Sequence, residues 1–257
     1  MLGIISTLTF FLFGSLFPVF LWVTATGKMD PGFHRFILGL ASLVGGMGVV
    51  FFGLMDAGFV VKMSAAVWLV SLLSVAWFYW NRERIQAWVV TIPSLIGVVL
   101  VMETITALTG SDFLFKGVSI LGGLILSGSV FSMLLGHWYL NVVDLPIRLL
   151  KRSVFLLLTL LTARLLWDIS HLLIGTVDAG GVLLTILEFI ETFNGFFLGI
   201  ALLFGTALPI VLCLLTLRVV KIHSTQSATG LLYVVVISIL MGDLIYKYYA
   251  LQFGIFL

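Results

Sequence analysis

Three ionisable residues, Arg164, Asp168 and His171, follow one another at i, i+4 and i+7 within residues 151–171, a stretch otherwise almost wholly apolar. On a helix, that spacing puts all three side chains on one face. A guanidinium, a carboxylate and an imidazole in a row can hold a carbonyl or carboxylate oxygen and pass protons to it. The same spacing has a plainer reading: Arg164 and Asp168 neutralise each other and fix helix register, and His171 is an interfacial histidine near the helix end. Further ionisable residues punctuate other apolar runs. They are Glu103, His137, Glu188, Glu191 and Asp243, the last followed at i+4 by Lys247, again the self-pairing distance. Asp168, His171 and Glu103 are the candidates for proton exchange. Arg164, Trp167, Asp243 and Lys247 are the candidates for holding the polar head of a ligand.

The setting decides what such groups can do. Of 257 residues, 61% are hydrophobic and 9% charged, against about 25% charged in soluble domains. This composition predicts a single all-α membrane domain, residues 1–257, a polytopic bundle with no soluble domain. A net charge of +2 gives no basic surface for nucleic acid. Cys213 is the only cysteine, which excludes an intramolecular disulfide and any cysteine-ligated iron–sulfur or zinc site. The first residues lack the basic start of a signal peptide, so the first apolar run is expected to be a retained helix.

Apolar runs long enough to cross hydrocarbon predict eight spans. They fall at Ile5–Thr26, Phe33–Met55, Val61–Trp80, Ala87–Leu108, Phe115–Leu140, residues 151–171, Gly195–Val220 and Gly230–Leu251. Pro18 is expected to kink the first. Gly39, Gly45, Gly46 and Gly48 in the second let a neighbouring backbone come close. Trp77, Tyr79 and Trp80 suit an interfacial aromatic belt. Residues 180–222 hold roughly twice the length that one span needs. We expect an interfacial or re-entrant helix carrying Glu188 and Glu191, then the seventh span; one long helix is the alternative.

Basic residues set the orientation. Loops one, three, five and seven carry Lys28, Arg35, Arg82, Arg84, Arg148, Lys151, Arg152, Arg218 and Lys221, whereas loops two, four and six carry Lys62 and Lys116. Odd loops are expected in the cytoplasm and both termini outside, in the inner membrane of a prokaryote. Spans four, six and eight then run outward. Glu103, Arg164, Asp168, His171, Asp243 and Lys247 all fall in their outer halves, level with Glu188, Glu191 and Asn194. The expectation is one polar recess opening outward inside an apolar bundle. An amphipathic molecule such as a quinone or quinol suits it, with its tail in lipid and its two protons relayed by carboxylates and histidine. His34, His137 and His223 map to the opposite edge, and none meets another histidine at mid-membrane depth. Ligation of a haem b through His137 is therefore the weaker expectation, beside a hydrogen-bonding role next to Trp138 and Tyr139.

The segment Ala228–Lys247 resembles the last helix of the membrane anchor subunits of DMSO-reductase and polysulfide-reductase type complexes. There a Gly–acidic–Leu–Ile–x–basic run closes an apolar helix, matched by Gly242, Asp243, Leu244, Ile245 and Lys247. Beyond that segment the likeness is one of architecture, eight helices with both termini outside. It implies a quinone-reactive integral subunit with its quinone pocket near the outer face, docked on an iron–sulfur protein. Electrons would pass to or from such an iron–sulfur or cytochrome subunit, because the chain has no evident redox centre. Two other classes stay open. One is a proton-coupled transporter of a small solute, although no internal repeat is evident. The other is a scaffold subunit whose charges pair off internally.

Overall fold

The computed structural model describes residues 1–25, 29–110, 113–142, 145–178 and 181–257. Lys28, one of the basic residues on which the expected orientation rests, lies outside them. In chain order the elements are α1 (Leu2–Leu16) continued by a 3₁₀ stretch (Phe17–Val23), α2 (Pro31–Gly53), α3 (Phe59–Tyr79), α4 (Ala87–Thr109), α5 (Phe113–Asn141) and α6 (Arg148–Ile174). A hairpin of β1 (Thr176–Asp178) and β2 (Leu183–Thr185) leads to the short α7 (Ile186–Glu191). Then come α8 (Phe196–Leu202), a π-helical turn (Leu203–Ala207), α9 (Leu208–Lys221) and α10 (Thr225–Phe253). Eight of these helical segments are long and apolar enough to cross a membrane, with Phe196–Lys221 counted as one. The chain is an all-α membrane bundle, as its composition predicts.

The bend expected at Pro18 takes the form of a change of helix type. Proline offers no N–H to the i→i−4 ladder, and the chain tightens into 3₁₀ geometry around it. α1 and α5 are the most buried spans. α1 packs against α2, α4 and α5, and Trp68 of α3 locks this group. Its indole is fully buried where Gly14 of α1, Gly45 of α2 and Gly97 of α4 leave room, and its N–H donates to the Pro93 carbonyl at 3.0 Å. Gly45 and Gly48 thus serve close approach, whereas Gly46 faces open space. Trp77 and Trp80 are exposed, as a belt requires, but Tyr79 turns inward and is buried. α5 is shared between two halves: it also packs on α6 and α10, and α10 covers α8, the π turn and α9.

Between α6 and α8 the chain holds a short helix that precedes the seventh span, as expected. The hairpin before it, with Val177 opposite Leu184, was not expected. α7 starts on a capping box. The Thr185 hydroxyl accepts from the Glu188 amide at 3.3 Å, and the Glu188 carboxylate accepts from the Thr185 amide at 2.8 Å. Those bonds from Thr185 hold the Glu188 carboxyl below its ordinary value of 4.5. Its support of the cap is therefore present above that value and is lost as the pH falls through the depressed one. Hydrogen exchange should show the protection of the Thr185 amide falling on acidification. Glu188→Gln should remove the pH dependence.

Candidate functional site: a buried ion network

α6 places Arg164 and Asp168 one turn apart on its inner face, 3% and 1% exposed. Arg164 Nε donates to Asp168 Oδ1 at 3.0 Å. Asp168 Oδ2 accepts from Thr206 Oγ1 at 2.7 Å and from Tyr246 Oη at 3.2 Å. The guanidinium carbon lies 4.1 Å from the centroid of the Tyr246 ring, a cation–π contact, and Arg164 also donates to the Leu257 carbonyl. On α10, Lys247 donates to Asp243 one turn earlier, and both are buried. Two cationic and two anionic side chains thus stand together as two ion pairs. Buried charges survive in a low dielectric when they are paired and their remaining hydrogen-bonding capacity is used.

Local features of the chain bring these groups together. The π turn inserts one residue into the ladder between α8 and α9 and turns Thr206 toward Asp168. Gly205 in that turn meets Gly242 of α10, and neither has a side chain to hold the helices apart. Gly254, at φ 67°, ends α10 in the left-handed conformation that glycine adopts without strain and sends the chain back into the bundle. Ile255 and Leu257 are buried there, and the Phe256 carbonyl accepts from Trp167 Nε1 at 2.9 Å. Gly122 of α5 faces Asp243, where a β-carbon would stand 2.6 Å from Oδ1.

The network leaves little room. Among the described residues, two small cavities touch it, each of about 10 Å³, roughly the volume that one water requires. One lies beside Gly122, Gly205 and Tyr246, the other beside Ser119, Lys247 and Leu257. The buried Ser119 hydroxyl has no hydrogen-bond partner among the described residues.

Of the residues singled out from the sequence, Arg164, Asp168, Asp243 and Lys247 converge. Trp167 borders them through its bond to Phe256. His171 does not join: it is half-buried and stacked on Trp167 with ring centroids 4.2 Å apart, its Nδ1 3.2 Å from the Trp167 carbonyl oxygen. Glu103 is not brought to the network either. It is exposed on α4 and lines a groove of about 530 Å³ against α3. Glu188 serves the α7 cap. His137 is exposed, its Nδ1 3.4 Å from Tyr233 Oη, and His34 is buried elsewhere, its ring nitrogens without a hydrogen-bond partner among the described residues. These side chains do not line one open recess; four of them form two buried ion pairs side by side. Thr206, Tyr246 and the Leu257 carbonyl complete it, and sequence reasoning missed all three.

A separate cavity of about 560 Å³ opens on the opposite face of α10, between Ile5 and Ser6 of α1, Asn194 and Phe197, and Tyr248 and Tyr249. Comparison with known protein families, curated proteins and solved structures returns no match.

Proposed function

We propose that this chain is a scaffold subunit of a membrane complex, and that the ion network is an internal clamp rather than a reaction centre. One observation carries the reading: both oxygens of Asp168 are occupied by donors from α6, the π turn and α10, beside cavities fit for roughly one water. Cavities of that size favour a clamp over a seat for a quinone head or a small solute. The charge bias of the loops supports an orientation with both termini outside the inner membrane of a prokaryote. Asp168→Asn tests the clamp. The amount of assembled complex should fall while any turnover per assembled complex stays unchanged. A variant that assembles at the wild-type level but loses quinone turnover or solute uptake contradicts the reading.

The aromatic cavity favours a second reading, that of a quinone- or quinol-binding subunit. Its volume of about 560 Å³ lies within the roughly 300–1,000 Å³ of small-molecule sites. Phe193, Phe197 and Phe253 offer faces for a flat ring, and Asn194 and Tyr248 offer polar groups for its oxygens. The likeness of Gly242–Lys247 to the reductase anchor helix supports the same reading, with electrons exchanged through an iron–sulfur or cytochrome partner. A photoreactive quinone analogue should then label the α8–α10 wall and lose that labelling in Tyr248→Leu. Labelling that ignores the substitution removes this reading.

A further inference from the structure

Glu103 is the one carboxylate within a spanning segment, among the described residues, that the fold leaves on the outer surface of the bundle without an ion pair. Lys62, near the same end of α3, donates instead to the Gly53 carbonyl at 3.1 Å. Glu103 closes one end of the α3–α4 groove of about 530 Å³, whose other walls are apolar save for Ser64, and the Ser64 hydroxyl donates to Val60 within α3. α3 is also the least buried span. A carboxylate within a membrane-spanning segment is costly unless it is paired, and none of the described residues pairs with Glu103.

The groove has the form of a helix seat. Ile96, Val99, Leu100 and Glu103 fall at i, i+3, i+4 and i+7 along α4, the spacing of a seam into which a third helix packs. Depth separates a helix from a lipid head. Glu103 lies six residues before the end of α4 at Thr109, about 9 Å inside it at the helical rise per residue. A glutamate is too short to reach the surface from there, and a lipid amine resides at the surface. A side chain on a neighbouring helix can meet it at any depth.

We propose that the α3–α4 groove docks a transmembrane helix of a partner protein, which presents a lysine or arginine to Glu103. This rests on the scaffold reading and names the surface through which the scaffold holds its partner. The test places a photocrosslinking amino acid at Met63 in the full chain, expressed in its own membranes. The expected product is a crosslink to an integral membrane protein with a basic residue in the captured span. Glu103→Leu, an apolar change on a lipid-facing surface that leaves the fold intact, should lower the yield about tenfold. Glu103→Lys should abolish it, and reversing the partner's basic residue to glutamate should restore it. Crosslinks to lipid alone, from a wild-type chain that still migrates with partners on native gels, overturn the groove and spare the scaffold. A protein crosslink indifferent to Glu103→Leu also overturns the groove. A wild-type chain that migrates alone overturns both.

Discussion

Alanine at Asp168 should lower the unfolding free energy of this chain by about 3–5 kcal/mol, the usual cost of removing one member of a buried ion pair. The substitution leaves the Arg164 guanidinium buried without its counter-charge and takes the acceptor from the Thr206 and Tyr246 hydroxyls. The paired replacement Arg164→Met with Asp168→Leu should recover most of that loss, because apolar residues of similar volume commonly replace a buried pair without net cost. Unfolding followed by tryptophan fluorescence in detergent or bicelles checks both, since Trp167 reports on the site. If the double variant is as unstable as the single one, the network is more than a neutral pair and the clamp is wrongly drawn.

The second large effect lies at Gly242. A β-carbon there would collide with the backbone of Gly205, which has no flexible end to move aside. The π turn and α10 must then separate, taking Thr206 and Tyr246 out of register with Asp168. Gly242→Ala should cost about 3 kcal/mol, the upper end of ordinary overpacking. Gly230→Ala on the same helix is the control: its β-carbon meets open space, and alanine favours the helix. The contrast between the two, read as unfolding midpoints, separates steric collision from a general effect of losing glycine.

The eight spans were legible because hydrocarbon imposes a length, and runs of that length stand out in so apolar a chain. The two i, i+4 pairs were legible for the same reason, since charges are rare here. Rotation about each helix axis was not. Sequence position fixes how deep Glu103 lies but not which way it points. α4 is apolar all round, so no polar face marks its outer side; Val101, Thr104 and Ile105 turn inward and Glu103 outward. His171 keeps the spacing of its face, but its ring is drawn onto Trp167, a local contact that spacing alone does not reveal. Thr206 is one threonine in an apolar run, and no residue type announces the π turn that aims it. The chain beyond Gly254 reads as a stop signal and a few apolar residues; that its carbonyls cap Arg164 and Trp167 is a tertiary fact.

On the scaffold reading, the four buried charges serve the fold and carry no chemistry. The most direct measurement is a chain with both pairs made apolar, Arg164→Met, Asp168→Leu, Asp243→Leu and Lys247→Met together, expressed in its own membranes. This chain should insert, unfold at a temperature close to that of the wild type, and support a normal amount of fully active complex. A chain that folds and assembles normally yet leaves the complex inactive would contradict that reading and return the network to the role of a reaction site.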